Sequence, residues 1–216
     1  MNKNDLKLYA ITDRQWLHGA SLSEHVKLAI EGGATMIQIR DKDILSTDSD
    51  AGLKDEYNEA LEIKRICHEH KVPLIINDNV QFAIDIDADG VHLGQDDMNP
   101  AEARKLLGTD KIIGVTAKTV EQAKKAQADG ADYLGSGAVF GSTTKLNAKP
   151  MTKELLREIT AAVDIPVVAI GGINADNAST LKGTGIAGIA VVGAIFASAD
   201  IKAAARKLAE ICDNML

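Results

Sequence analysis

Residues 112–137, IIGVTAKTVEQAKKAQADGADYLGSG, contain two short apolar segments separated by a helical segment. Ile112–Thr116 and Tyr133–Gly137 are mostly apolar, as expected for strands that are covered on both faces. Val120–Asp129 predicts a helix, and Gly130 predicts the end of that helix and the turn into the next strand. A strand, a helix and a second strand in this order predict a parallel β-α-β unit.

The same alternation covers most of the 216 residues. Six further strands are predicted at Leu6–Thr12, Met36–Arg40, Pro73–Asn77, Gly90–Leu93, Pro166–Ile170 and Gly188–Val192. Six further helices are predicted at Ser21–Glu31, Asp55–His70, Pro100–Leu107, Thr152–Ala162, Asn174–Leu181 and Ile201–Asp213. Eight strands in a chain of this length favour an α/β fold, a closed (β/α)8 TIM barrel that forms a single domain over residues 1–216. An open sheet stays an alternative, because periodicity does not show closure.

Composition narrows the class of protein. Hydrophobic residues make up 45% and charged residues 25%, which is typical of a globular domain. The net charge of −7 argues against nucleic-acid binding, although local cations and backbone amides can still hold a phosphate. No apolar run is long enough for a membrane span and the N-terminus lacks an apolar signal region, so we expect a cytoplasmic enzyme without a membrane partner.

Two motifs are interpreted as structural. Cys67-His68-Glu69-His70 resembles a metal cluster, but consecutive residues near the end of a helix point in different directions. The sequence GTGIAG at residues 183–188 matches G-x-G-x-x-G, but it follows a helix and precedes a strand. That order is the reverse of a dinucleotide-binding motif.

Charged and polar residues close the second predicted strand at Gln38-Ile39-Arg40-Asp41-Lys42. Alternation points Gln38, Arg40 and Lys42 to one side and Ile39 to the other. An arginine inside a barrel is costly unless it is paired, so we expect a carboxylate partner or a ligand anion beside it.

Carboxylates follow the next two strands. Asp78 ends the third strand, and Asp96 and Asp97 follow the fourth. Neighbouring strand ends should bring Asp78 close to one of the other two, and two carboxylates are enough for a Mg²⁺ site when water and phosphate oxygens complete the shell. The alternative is that Asp78 and Asp97 cap the helices that begin soon afterwards.

Loops after the last three strands predict phosphate binding. Gly141-Ser142-Thr143-Thr144-Lys145 offers backbone amides, three hydroxyls and one ammonium group. The segments Gly171-Gly172-Ile173-Asn174 and Val192-Gly193-Ala194-Ile195 each end a strand and open a helix, where barrels often bind phosphate. The two longest irregular segments, Asp41–Lys54 and Gly141–Pro150, are candidate lids because both follow strands.

These motifs, in this order, resemble the thiamine-phosphate synthase family over nearly the entire chain. The resemblance rests on Tyr9-Ala10-Ile11-Thr12-Asp13, the segment 38–42, Asn77-Asp78, Gly94-Gln95-Asp96-Asp97, residues 142–145, Gly171-Gly172-Ile173 and 191–195. It implies an enzyme that joins hydroxymethylpyrimidine diphosphate to a plain or carboxylated thiazole phosphate and releases diphosphate. Small-molecule substrates, rather than nucleic acid, are the implied partners.

The resemblance also implies site residues. The pyrimidine diphosphate would contact Gln38, Ile39, Arg40, Asp41, Lys42, Asn77, Thr116 and Lys145, of which Arg40, Lys42, Thr116 and Lys145 would be catalytic. The thiazole phosphate would contact Ser142, Thr143, Thr144, Gly172, Val192 and Gly193. Mg²⁺ would be the cofactor, held by Asp78 and Asp97.

The chain departs from the family pattern at a few positions. The family usually has serine where this chain has Thr116 and Gly193, threonine at Ser142, glutamate at Asp41, and prolines at Ala138 and Gly141. Thr116 and Ser142 keep a hydroxyl group. Gly193 keeps only its amide, which predicts weaker binding of the thiazole phosphate.

Two other functions stay open. A related thiazole tautomerase would need a catalytic histidine after the fifth strand, where this chain has Val115-Thr116-Ala117-Lys118. A non-catalytic phosphate-binding regulator would leave buried charges unused at a cost in stability. His92, in a strand next to the proposed metal loop, is interpreted as a packed histidine or as one that supports the site from behind, rather than as a catalytic one. The sequence leaves the oligomeric state open, with a homo-oligomer among the options.

Overall fold

Eight parallel strands form a closed barrel in a computed structural model that describes residues 1–40, 50–141 and 150–216. The strands are β1 Leu8–Ile11, β2 Met36–Ile39, β3 Leu74–Asn77, β4 Gly90–Leu93, β5 Ile112–Thr116, β6 Tyr133–Gly137, β7 Val167–Ile170 and β8 Gly188–Val191. The α-helices are α1 Leu22–Glu31, α2 Asp50–Glu69, α3 Val80–Asp85, α4 Pro100–Leu107, α5 Val120–Ala128, α6 Lys153–Ala161, α7 Gly193–Phe196 and α8 Ile201–Met215. Short 3₁₀ helices span Lys3–Leu6, Arg14–Trp16 and Ala178–Leu181.

Pairing of the first and last strands closes the barrel. Tyr9 of β1 pairs with Met36 of β2 on one side and with Ala190 of β8 on the other. Each of the remaining strands pairs with its neighbours in chain order. The prediction of a (β/α)8 TIM barrel is therefore confirmed, and the open-sheet alternative is wrong.

Two apolar layers follow from the alternation of side chains along each strand. Leu134 of β6 points outward into the large core between the strands and the helices. Tyr133, beside it in the sequence, points inward and packs with Met36, Ile75 and Val168 inside the barrel. The barrel is therefore filled below its mouth, and in barrels of this kind ligands bind at the carboxyl ends of the strands.

The segment after β7 differs from the predicted helix over Asn174–Leu181. Only Ala178–Leu181 is helical, as a 3₁₀ turn. The Asn174 side chain accepts hydrogen bonds from the backbone amides of Asp176 and Asn177. A side chain that satisfies backbone amides in this way competes with helix formation.

The Cys67–His70 segment is structural. Burial raises the pKa of the Cys67 thiol to about 12, so it stays protonated. His68 faces Asp89, with Nε2 3.1 Å from Oδ2, and His70 Nδ1 lies 2.9 Å from the carbonyl oxygen of Ile66. In the part of the chain that the structure describes, no group of three His, Cys, Asp or Glu side chains could hold a metal ion.

Helix length and polarity bear on membrane insertion. Among residues 1–40, 50–141 and 150–216, no helix is both long and apolar enough to cross a bilayer.

Candidate active site

A polar cavity of about 270 Å³ opens at the carboxyl ends of β2 to β5. It is lined by Arg40, Asn77, Asp78, His92, Gly94, Gln95, Asp96, Asp97, Thr116 and Lys118. Five of the residues predicted from the sequence therefore meet at one place, namely Arg40, Asn77, Asp78, Asp97 and Thr116. Lys118 was not predicted, and it adds a positive charge at the rim.

A larger cavity of about 410 Å³ lies at the opposite end of the barrel. Its lining includes Asp132, Pro166 and Ala187, which precede β6, β7 and β8. Barrel enzymes place their chemistry at the carboxyl ends of the strands. The smaller cavity is therefore the candidate active site.

Arg40 follows β2 and reaches the cavity with only 14% of its side chain exposed. Its Nη1 atom lies 3.8 Å from Oδ2 of Asp13, which supplies the expected carboxylate partner. The same Asp13 oxygen accepts a hydrogen bond from the Gln15 side chain at 2.7 Å. Because Asp13 is shared and the ion pair is long, Arg40 keeps donor capacity for an anionic ligand.

Asp78 lies at the end of β3 in a left-handed backbone conformation, with φ +61°. The Asn77 side chain donates a hydrogen bond to its carboxylate at 2.6 Å, and the Asp78 amide donates to the carbonyl oxygen of His92. The cap of α3 is the neighbouring Asn79, whose side chain accepts from the Phe82 amide. The capping alternative is wrong for Asp78.

Asp97 lies in the loop after β4. Its Oδ2 atom accepts a hydrogen bond from the Gly94 amide at 2.6 Å, which folds the loop back over the strand end. The cap of α4 is Asn99, whose side chain accepts from the Ala101 amide. The capping alternative is therefore wrong for Asp97 as well.

The donor set of the cavity fits a magnesium ion. Asp78, Asp96 and Asp97 all line the cavity, although no three carboxylates in the described part of the chain are close enough together to hold a metal by themselves. Mg²⁺ prefers oxygen ligands, and it commonly uses one or two carboxylates together with water and phosphate oxygens. Like charges in one cavity repel each other, so a bound cation would relieve this repulsion.

A chain of hydrogen bonds crosses the barrel beneath the cavity. Gln38, which is 2% exposed, donates its side-chain amide to the Tyr9 hydroxyl at 2.5 Å. The Tyr9 and Tyr133 hydroxyls are 2.8 Å apart, and Tyr133 lies 3.0 Å from Nδ1 of His92. His92 Nε2 lies 3.0 Å from the hydroxyl oxygen of Thr116. Two predicted site residues on opposite sides of the barrel are thus connected.

Sequence reasoning missed the two tyrosines of this chain of hydrogen bonds. Burial raises the pKa of Tyr9 and of Tyr133 well above that of a free tyrosine, so both keep their protons. In the sequence they stand inside apolar strands, where a tyrosine is indistinguishable from a core residue. Inward-facing glycines at 114 and 135, which leave room for large rings, were the available signal.

The strand ends β7 and β8 carry the predicted phosphate loops. Gly171 and Gly172 adopt φ of +100° and +67°. A β-carbon on Gly172 would stand 2.6 Å from the backbone oxygen of Phe140, so only glycine fits there. Gly193 is the first residue of α7, after Val192, and a β-carbon there would meet no atom closer than 3.8 Å. The backbone amides at the start of a helix are the groups that bind phosphate.

Ile39 departs from the other residues of its motif. Its side chain is buried in the core between strands and helices. Only its backbone could contact a substrate, as the alternation of β2 predicts.

Six predicted substrate-binding residues lie outside the described residues, namely Asp41, Lys42, Ser142, Thr143, Thr144 and Lys145. The same is true of residues 41–49 and 142–149, which make up most of the two candidate lids. Their roles stay predictions.

Comparison with known proteins identifies the family. The family model described as thiamine monophosphate synthase matches residues 8–195. A thiamine-phosphate synthase of Ruminiclostridium cellulolyticum is 49% identical over 213 residues, which cover 99% of this chain and 98% of that protein. One from Clostridium tetani is 47% identical over 208 residues, which cover 96% of each chain.

A solved structure agrees with this. The thiamine phosphate pyrophosphorylase of Pyrococcus furiosus superimposes with a TM-score of 0.87 at 38% identity, over 99% of this chain and 98% of that one. The family model, the related sequences and the solved structure all match nearly the full length of this chain. The chain belongs to the thiamine monophosphate synthase family.

Proposed function

We propose that the chain carries out the coupling reaction of its family with the help of Mg²⁺. Hydroxymethylpyrimidine diphosphate and a plain or carboxylated thiazole phosphate would give thiamine phosphate and diphosphate. The observation that carries the proposal is the convergence of Arg40, Asp78, Asp97 and Thr116, from four consecutive strand ends, on one cavity. Cations, carboxylates and a hydroxyl in one place suit a metal-bound diphosphate better than a neutral ligand.

Charge neutralisation would drive departure of the leaving group. Magnesium bound at Asp78 and Asp97 would neutralise the negative charge that develops on the departing diphosphate. Arg40 would donate two hydrogen bonds to diphosphate oxygens, and Lys118 stands at the same rim. Lys42 and Lys145, which lie outside the described residues, are proposed to complete this group of cations.

The second substrate would be held by the loops after β7 and β8. Gly172 and the amide of Gly193 are proposed to bind the thiazole phosphate, together with the hydroxyls of residues 142–144. A phosphate anchored there keeps the thiazole nitrogen in line with the pyrimidine methylene carbon. Catalysis by positioning of this kind needs no general base for bond formation.

Diphosphate release tests the proposal directly. Purified protein is mixed with both substrates, and diphosphate is measured with Mg²⁺ and after chelation with EDTA. We expect release that requires both substrates and Mg²⁺, and a loss of at least about tenfold in Asp97→Asn because a ligand charge is removed. Asp110→Asn, an exposed carboxylate after α4, is the matched control and should behave as wild type.

The substrate requirement separates the alternatives. A tautomerase would convert the thiazole phosphate alone and release no diphosphate, and a binding regulator would release none from any mixture. Failure of the folded protein to release diphosphate from both substrates would refute the proposal. We also propose that the enzyme works in the cytoplasm, where phosphorylated metabolites of this kind are retained because they do not cross membranes unaided.

A further inference from the structure

We propose that Tyr9, Tyr133 and His92 are positioning residues that hold the Thr116 hydroxyl so that its hydrogen points into the active-site cavity. The proposal rests on the proposed function, since it assigns the resulting hydrogen bond to an oxygen of the diphosphate. It concerns residues inside the barrel that do not themselves have to touch the substrate.

Counting donors gives a consistent direction for the hydrogen bonds, starting from the Gln38 amide as the donor to Tyr9. The Gln38 amide donates to Tyr9, which leaves the single Tyr9 hydrogen for Tyr133. Tyr133 then donates to Nδ1 of His92, so the imidazole carries its hydrogen on Nε2. That hydrogen is donated to the Thr116 oxygen, and the Thr116 hydrogen remains for another acceptor.

The charge of the ligand selects this direction over the reverse one. In the reverse direction Thr116 would donate to His92 and present a lone pair to the cavity. A lone pair facing a phosphate oxygen is repulsive, whereas an O–H donor to an anionic oxygen forms a strong, charge-assisted bond. Burial keeps the pKa of both tyrosines high, so neither can lose the proton on which the sequence of donors depends.

Two glycines make room for this arrangement. A β-carbon on Gly114 of β5 would stand 2.1 Å from the ring of Tyr133, and one on Gly135 of β6 would stand 3.0 Å from the ring of His92. The two rings pack against each other with centroids 5.5 Å apart. Each ring therefore lies against the backbone of a glycine and is also held by hydrogen bonds.

Thr116 is fixed from both sides. Its hydroxyl oxygen accepts from His92, and its carbonyl oxygen accepts from the Gln95 side chain at 2.6 Å. The residue lies at the end of β5 and lines the cavity with Arg40 and Asp78. Because hydrogen bonds hold both the hydroxyl oxygen and the backbone of Thr116, only the direction of the hydroxyl hydrogen is still free to change.

A double-mutant cycle tests whether Tyr133 acts through Thr116. Tyr133→Phe removes only the hydroxyl, and it is combined with Thr116→Val, which has no hydroxyl, and with Thr116→Ser, which keeps one. The readouts are kcat/KM for the pyrimidine diphosphate and the Kd of inorganic diphosphate with Mg²⁺, measured by calorimetry. Tyr57→Phe, which removes an exposed hydroxyl bonded to the Asp85 carbonyl, is the matched control.

We expect Tyr133→Phe to lower kcat/KM and to weaken diphosphate binding by at least about tenfold in the wild-type and Thr116→Ser backgrounds. In the Thr116→Val background the same change should cost less than about twofold, because the hydroxyl on which it acts is already gone. Tyr57→Phe should leave both readouts unchanged.

An equal loss from Tyr133→Phe in all three backgrounds would show a purely structural role and overturn the proposal, as would no loss in the wild-type background. If Tyr133→Phe does not fold, His92→Asn is put through the same cycle, because it removes the donor to Thr116 directly. Diphosphate release by the wild-type protein tests the proposed function separately. The Kd of diphosphate can be measured for every variant of the cycle even if the wild-type protein releases no diphosphate. The proposed function and the positioning role of Tyr133 can therefore be refuted independently.

Discussion

Replacement of Asp78 by glycine should separate catalysis from stability at one position. The aspartate occupies the left-handed region at φ +61°, which is unfavourable for a residue with a side chain. Asp78→Gly removes that strain and also the carboxylate that is proposed to bind Mg²⁺. If Asp78 is present for its chemistry despite an unfavourable backbone conformation, its replacement by glycine should lower the activity of the enzyme without a matching loss of stability.

The magnitude can be worked from the local contacts. Relief of the left-handed strain contributes about 1 to 2 kcal/mol. The greater freedom of glycine in the unfolded chain costs about 0.4 to 1 kcal/mol, and loss of the charge-assisted hydrogen bond from Asn77 costs about 1.5 kcal/mol. These changes in the free energy of unfolding partly cancel, so it should stay within about 1.5 kcal/mol of wild type, a shift in Tm of roughly 6 °C or less.

The assay combines urea unfolding in the absence of Mg²⁺ with diphosphate release in its presence. Turnover should fall at least about tenfold, and stabilisation by Mg²⁺ with diphosphate should disappear. Lys71→Gly is the matched control, because Lys71 has φ +58° after α2, away from the cavity. It should show a similar change in stability with normal turnover. Wild-type turnover in Asp78→Gly, or destabilisation by several kcal/mol, would refute the reasoning.

Three further changes probe other parts of the molecule. Arg40→Lys keeps the positive charge but loses the ability to donate two parallel hydrogen bonds to a phosphate group. The kcat/KM for the pyrimidine diphosphate should therefore fall about tenfold in steady-state assays. An unchanged value would contradict the role of Arg40. Gly172→Ala puts a β-carbon 2.6 Å from a backbone oxygen at φ +67°, so urea unfolding should show a loss of at least about 1 kcal/mol; equal stability would contradict this crowding. Hydrogen bonds from Lys111 and Lys64 lower the pKa of Asp87 to about 2 in the folded protein. The pKa of an aspartate in the unfolded chain is about 3.9, so the Asp87 carboxylate stabilises the fold fully above that pH. This stabilisation is lost as the pH falls through about 2. The stability difference between wild type and Asp87→Asn should shrink over that range in urea titrations, and a pH-independent difference would argue against the ion pairs.

The strands were predictable because hydrophobic burial dictates their composition. Gly90–Leu93, Ile112–Thr116 and Tyr133–Gly137 were predicted with the observed bounds, since polar or glycine residues flank an apolar core at both ends. For the helix Val80–Asp85, the sequence predicted only that a helix begins soon after Asp78, and not where it ends. A helix of six residues is too short to show a helical period in the sequence. The segment from Asn174 was wrongly predicted as a helix, because local side-chain hydrogen bonds outweighed its helical pattern.

The site was predictable as far as strand ends fix positions. Charged residues at the ends of parallel strands must meet at one edge of a barrel, which brings Arg40, Asp78 and Asp97 together. Contacts between inward-facing side chains of non-adjacent strands depend on barrel closure and on register, and no local pattern encodes them. The hydrogen bond between the Tyr9 and Tyr133 hydroxyls, which joins β1 to β6, is of this kind.

The central claim is that carboxylates and cations from separate strand ends hold one metal-bound diphosphate. A crystal grown with Mn²⁺ in place of Mg²⁺ and with inorganic diphosphate tests this most directly, because manganese gives an anomalous scattering signal. We predict an anomalous peak within coordination distance of both Asp78 and Asp97, with diphosphate oxygens bound to the metal and to Arg40. A metal or a diphosphate bound elsewhere, with this cavity holding neither, would contradict the account.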